Sequence, residues 1–457
     1  MKEDAISPVM RRLSSYISEA GKKPLPSAVA ERTKHHVLDT IAAMVSGSRL
    51  LPGRKGVSYV STLGGTKEAC VIGSRIVTSA ANAALANGMC AHADETDDSH
   101  APSVMHPGCG IVPAALAVAE REGRNGEALL RAVALGYDIA TRLTMSLNAF
   151  KFREDGLSTH SYGPTFGAAA AAGLLVKVNE RQARHLLSYA AQQASGISCW
   201  MRDEEHIEKA FDFGGMPARN GVTAATMVAH GFTGVEDVLS GERNFLVAHG
   251  RPADPETLIR GLGVDYEILR TNIKRWSVGS PIQAPLDSLL ILINEHAVKA
   301  GEVEKVTIRV AHRDKNTTDN RPMPDINMQH LCAVMLMDGI VTFRSSHDEK
   351  RFHEPGILEF KKKIDLQGDD GLTKAMPARQ AIVELVLRDG RTLRHHTKAV
   401  RGTAENPMTR DEVDAKSYDL VAPVMGKARA RRLCDAVWNL EALKDVRKLR
   451  SLLQEKS

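Results

Sequence analysis

The chain has 457 residues, of which 43% are apolar and 25% charged, and its formal net charge is +5. These proportions belong to an ordinary soluble globular protein with room for two or three domains. The basic residues are spread along the chain without interleaved aromatics, which argues against a nucleic-acid partner, and no run of about 18 apolar residues suggests a membrane span.

The six cysteines stand alone, with no C-x-x-C pair. That speaks against a thiolate zinc site or a three-cysteine iron–sulfur motif, and for a reducing compartment. The N-terminal "MKEDAISPVMRRLSSYISEAG" mixes acids and bases and carries no apolar targeting core. The expected location is cytoplasmic.

In chain order, the pattern is helical almost throughout to about residue 265. "PSAVAERTKHHVLDTIAAMVSGS" has helical apolar spacing between a Pro-Ser start and a Ser-Gly breaker. "SAANAALANGMCAHA", "GIVPAALAVAEREG", "GEALLRAVALGYDIATRLTMSL", "TFGAAAAAGLLVKV" and "ERQARHLLSYAAQQASGI" follow, with small-residue faces that let helices pack closely. After Asp265 the character changes. "VEKVTIRVAH" alternates as a strand, and "RQAIVELVLRDGRTLRHHTKAV" reads as a hairpin about Asp389–Gly390. Helical stretches at "SPIQAPLDSLLILINEHAV" and "INMQHLCAVMLMDGIV" lie between them. From about Asn406 the chain is helical again. The expected architecture is mainly α: a helical domain built from both chain ends (1–265 and 405–457) with an inserted α+β lid domain (266–404).

The densest chemistry is "AHADETDDSHAPSVMHPG", residues 91–108. A helix expected to end near Asn87–Gly88 gives way to Asp94, Glu95, Asp97 and Asp98 among His92, His100 and His106. Pro107 then opens another helix, which places His106 at a helix N-terminus, where the dipole favours a neutral imidazole and a bound anion. The residue types also suit Mn, Fe or Zn, although no H-E-x-x-H or facial-triad spacing is present. A solvated loop is the third reading. Farther on, "GLSTHSYGPTFG" is a Gly-bounded loop with His160 and Tyr162 leading into a helix. "IEKAFDFGGMPARNG" places Lys209 shortly before a Gly-Gly break, and "IKRWSVGSPIQAP" puts Lys274 and Arg275 just before a helix start at Pro281. Cations at such positions suit carboxylate ligands.

These blocks, taken in order through "KAFDFGGMPARNGVTAATMVAHGFTG" and "IKRWSVGSPIQAPLDSL", resemble those of the MmgE/PrpD family. Its members include 2-methylcitrate dehydratase, cis-aconitate decarboxylase and iminodisuccinate epimerase. The resemblance implies a homodimer without cofactor or metal that binds a small di- or tricarboxylate between a helical domain and a smaller α+β domain. It matches His106 and His160 to an acid/base pair and Lys209 and Lys274 to site lysines. Glu95 stands where an aspartate is common, Ser99 where a threonine is common, and His330 where a tyrosine is usual. Asp94 or Glu95 would orient an imidazole, while Ser99, Tyr162, Arg275 and His330 would complete the substrate contacts. The implied activity is a dehydratase-type lyase, with epimerase/isomerase and decarboxylase as alternatives. A metal-dependent hydrolase or isomerase, and a non-catalytic carboxylate-binding protein, are the readings from other classes.

Overall fold

The computed structural model describes residues 6–249 and 252–455; the first five residues of the N-terminal segment lie outside this range. The protein is mainly helical, with a small two-stranded sheet and a four-stranded mixed sheet. It divides into two compact units. The first comprises Met1–Ala93, Asp97–Thr271 and Val413–Ser457; the second comprises Asp94–Thr96 and Asn272–Glu412.

In the first unit, the long helices Gly126–Ser146 and Thr159–Leu175 pack directly on each other. Small residues make this possible, because a Cβ on Gly136 would lie 2.9 Å from the Gly167 carbonyl oxygen and one on Gly167 2.5 Å from that of Gly136. The five-alanine run Ala168–Ala172 is fully buried. It serves as the packing face that its composition suggests. Met216–Ala229 lies on the same helix, and Gly108–Arg121 contacts both.

Three expectations are corrected here. The helix Ala80–Ala91 continues past Asn87–Gly88, because Gly88 sits inside a packed face and does not end it. His160 and Tyr162 are in the first turn of Thr159–Leu175 and not in a loop, and Pro164 lies inside the same helix as its sixth residue. The helical stretch also contains a short antiparallel pair, Ala69–Cys70 with Val77–Thr78, which is too brief to show an alternation.

In the second unit the strand order is Ile364–Gly368, Val303–Val310, Ala381–Leu387, Thr392–Thr397. The last two form the antiparallel hairpin, with Val386 opposite Thr392. Ala381–Leu387 alternates buried and half-buried residues strictly, so Ala381, Val383, Leu385 and Leu387 enter the core. There they share one cluster with Leu286 and Leu289 of the helix Gln283–His296 and with Leu331 and Met335 of Met328–Asp338. The parallel edge strand Ile364–Gly368 is an element that the sequence reading did not include.

Candidate functional site

The first unit gathers three histidines around one phenylalanine, with a fourth beside one of them. His92 follows the last turn of Ala80–Ala91, and His106 immediately precedes Pro107, the N-cap of Gly108–Arg121. His160 occupies the first turn of Thr159–Leu175. His206, in the uncommon left-handed region at φ 61°, caps the short helix Ile207–Ala210. Phe213 stacks on His160 at a centroid distance of 3.8 Å and on His92 at 4.2 Å. The His106 ring lies 5.3 Å from that of His160 and 5.2 Å from that of His92, which is 5.1 Å from His206.

Phe213 is held there by a helix that does not stop where glycines suggest it should. Ile207–Ala210 runs through a π-helical turn, Phe211–Gly215, into Met216–Ala229. Gly214 is required by close approach: a Cβ there would sit 2.0 Å from the Gly88 carbonyl oxygen, and one on Gly88 would sit 2.4 Å from that of Gly214. The expected Gly-Gly break is thus a backbone-to-backbone contact, and the wider π turn carries Phe213 toward the imidazoles.

Asp97 organises two of the rings. Its carboxylate oxygens accept from His92 Nδ1 at 2.9 Å and from His106 Nδ1 at 3.1 Å. With Nδ1 donating, each imidazole directs Nε2 away from Asp97 as the nitrogen able to take a proton. The His92 Nε2 and His160 Nδ1 atoms are buried with no protein hydrogen-bond partner among the described residues. Burial, reinforced by His106, Arg153, His92 and Lys209, pushes the His160 pKa well below 6.5. The ring is therefore neutral at physiological pH. Lys209 lies over two aromatic faces, with Nζ 5.6 Å from the Trp200 ring and 5.4 Å from that of Phe213. Behind Phe213, Ser158 donates to Asp212 and accepts from Trp200 Nε1 at 3.3 Å.

The donor atoms of His92, Asp97 and His106 lie within 4.8 Å of one another, close enough to hold a metal ion. Their separations of 2.9 and 3.1 Å, however, are those of direct hydrogen bonds. Ligands at about 2.0 Å from a tetrahedral ion stand about 3.3 Å apart.

The neighbouring acid Asp98 plays a different part. Fully buried, it accepts from His36 Nδ1 at 2.7 Å, Tyr137 Oη at 2.5 Å and the Gly108 amide at 2.9 Å. It thereby ties the loop to three helices. His100 is likewise held, by Ser103 Oγ at 2.7 Å and Glu267 at 3.3 Å.

The second unit holds the other candidate residues. Lys274, buried, donates to the Glu95 carbonyl and lies 3.8 Å from the Glu95 carboxylate. Asp94 accepts from the Thr96 amide at 2.9 Å and from its hydroxyl at 2.7 Å, and pairs with His347 at 3.0 Å.

The remaining sequence candidates are placed as follows. Tyr162 is two residues from His160 and so on another helix face, where it packs on Phe152, Phe245 and His249. Arg275 stacks on Trp276 at 4.8 Å and pairs with Asp287 at 3.9 Å. Ser99 is half-buried in the loop. His330 is fully buried beside Phe352, with neither ring nitrogen hydrogen-bonded among the described residues, and its pKa falls to about 4 through burial and the charges of Lys361 and Arg351. Sequence reasoning missed His206, Phe213 and Trp200 as companions of His160; of these, only the histidine carries a chemical signal.

Residues 11–258 match the MmgE/PrpD N-terminal domain, and residues 276–442 match the MmgE/PrpD C-terminal domain. A cis-aconitate decarboxylase of Aspergillus terreus is 22% identical over 98% of this chain and 96% of its own length. The cis-aconitate decarboxylase-like protein oryM of Aspergillus oryzae is also 22% identical, over 97% of each chain. No helix among the described residues is long and apolar enough to cross a membrane.

Proposed function

The chain belongs to the MmgE/PrpD family, and on that premise we propose that it is a lyase of the dehydratase/decarboxylase type acting on a small di- or tricarboxylate. The observation that carries this reading is the Asp97 carboxylate shared by His92 and His106, beside a His160 ring kept neutral by burial. Removing a proton next to a carboxylate, or protonating the carbanion left by lost carbon dioxide, requires a base and an acid at fixed positions.

In the dehydratase reading, the neutral His160 ring takes the carbon-bound proton and His106 protonates the departing hydroxyl. Asp97 stabilises the His106 imidazolium that supplies that proton, as a carboxylate does for an imidazole it orients. Lys209 and Lys274 attract substrate carboxylates and offset enolate charge. Glu95, Ser99 and His330 complete orientation. No cofactor takes part in these steps, and the protein acts as a homodimer. The names of the two fungal relatives favour the decarboxylase as the second reading. There the same acid protonates the carbon that has lost carbon dioxide.

The test is NMR in deuterium oxide with methylcitrate, cis-aconitate, citrate and iminodisuccinate. Loss of water supports the dehydratase, and carbon dioxide release with one deuteron incorporated supports the decarboxylase. Exchange without net conversion indicates an epimerase, and a raised melting temperature without chemistry indicates a binding protein. His106→Ala and His160→Ala should each lower turnover about 10²- to 10⁴-fold; near-normal turnover in both would remove the assignment.

A further inference from the structure

The second unit contains a histidine that no motif in the sequence points to. His347 follows the short helix Phe343–Ser346 and is largely buried. Its Nδ1 faces the Phe343 carbonyl at 2.9 Å and the Ser346 hydroxyl at 3.0 Å. That hydroxyl is turned toward the Phe343 carbonyl at 3.0 Å and the Ser277 carbonyl at 3.3 Å. On the other side of the ring, Nε2 meets Asp94 at 3.0 Å, with Asp325 at 3.9 Å.

The Phe343 carbonyl can only accept, so Nδ1 carries a proton, and the Asp94 carboxylate 3.0 Å from Nε2, an ion-pair contact without hydrogen-bond alignment, favours a second proton there and hence an imidazolium. Burial alone would lower its pKa. Asp94, then Asp325 and the Phe343 carbonyl, outweigh burial and raise it to about 9. The Asp94 pKa moves the other way: burial is opposed by His347 and by both Thr96 donors, and the net direction is downward. Both partners therefore favour the charged pair.

The pair bears on the residue between its anchors. Asp94 uses both oxygens to bind Thr96, closing a turn around Glu95. Lys274 grips the Glu95 carbonyl. The tripeptide Asp94–Thr96 is grouped with the second unit although the chain on either side of it belongs to the first. From that unit, His347 pairs with Asp94 and Lys274 with Glu95.

We propose that His347 is a positioning residue: it clips the Asp94–Thr96 turn so that Glu95 and Lys274 keep the mutual geometry that turnover requires. The clip stands on the contacts above, while its effect on turnover rests on the proposed function.

Two measurements test the inference. In ¹⁵N-histidine-labelled wild-type protein at pH 7.5, the His347 ring should show both nitrogens protonated and should deprotonate only near pH 9, whereas in Asp94→Asn it should be neutral at pH 7.5. A neutral wild-type ring, or a ring unaffected by Asp94→Asn, overturns the clip. In steady-state kinetics on whichever acid the wild type converts, His347→Gln and Asp94→Asn should each lower kcat at least tenfold with KM changed less than threefold. The double variant should be no worse than the weaker single one, and His347→Lys, which restores a cation, should recover part of the loss. Multiplying losses, or unchanged kcat in both single variants, overturn the positioning role. If His347→Gln fails to fold, Asp94→Asn and the wild-type titration decide. If the wild type converts none of the acids, the proposed function falls and takes the catalytic half of this inference with it, while the NMR result still decides the clip.

Discussion

Asp98 offers the sharpest quantitative test of how the acidic loop is held. Three donors from three helices converge on one fully buried carboxylate: His36 Nδ1 at 2.7 Å, Tyr137 Oη at 2.5 Å and the Gly108 amide at 2.9 Å. Asp98→Ala orphans all three, and each buried donor left unpaired costs about 1–3 kcal/mol. Relief from burying a carboxylate returns part of that, so the net loss should be about 4 kcal/mol. Asp98→Asn keeps the shape. Its amide oxygen can still serve Gly108, and its amide nitrogen can donate to the tyrosine oxygen and to His36 in the other tautomer, for a net loss of about 1–2 kcal/mol. With an unfolding entropy of about 1 kcal/mol/K for 457 residues, or about 1 °C per kcal/mol, the alanine variant should melt about 4 °C below wild type and the asparagine variant about 1–2 °C below. Scanning calorimetry of the three proteins at pH 7 reads this directly. Equal losses in the two variants, or a milder effect from alanine, would refute the idea that donor satisfaction governs the site.

Other predictions follow from the same reasoning. The His330 pKa of about 4 lies below the ordinary 6.5, so its neutral form stabilises the fold above pH 6.5 and that contribution is lost as pH falls from 6.5 toward 4. At pH 5 the loss should be about 2 kcal/mol, so wild type should lose that much more than His330→Phe between pH 7 and pH 5 in urea denaturation; parallel losses would rule this out. Gly214→Ala drives a methyl to 2.0 Å from the Gly88 carbonyl and should cost more than 3 kcal/mol, whereas Gly301→Ala meets open space and should stay within about 0.5 kcal/mol. Thermal melts that rank the two alike would discount the close-approach explanation. Asp97→Asn leaves one neutral amide oxygen to accept from two imidazoles and should lower turnover at least about 10²-fold in the NMR assay; full activity would show that the shared carboxylate is dispensable.

What the sequence revealed depended on the kind of signal each element carries. The Ala381–Leu387 and Thr392–Thr397 hairpin is legible because its alternation is complete and Asp389–Gly390 marks the turn. Ile364–Gly368 is not: five residues after a lysine run, paired in parallel, have neither a turn nor an adjacent partner to announce them. Gly214 was legible as a special position but misleading as to kind, since glycine marks a close approach as readily as a break. Among the titratable residues, His106 stood out because it precedes a helix in a dense acid–histidine block, and His160, read as a loop histidine, stood out through the family resemblance. Phe213 carries no polar signal, and its role appears only once the π turn places it between two rings. His347 sits in an unremarkable polar stretch, and its partner Asp94 is distant in the chain.

The division of the chain has a practical consequence for anyone who cuts the gene. A fragment spanning 272–412 would carry every strand of the four-stranded sheet but leave behind Asp94, Glu95 and Thr96. Its Lys274 would lose an acceptor 179 positions upstream, and His347 would be a cation without its anion. The complementary fragment would need residue 271 spliced to residue 413 to close up. Boundaries drawn for expression, chimeras or circular permutation should therefore treat those three residues as cargo that travels with the second unit.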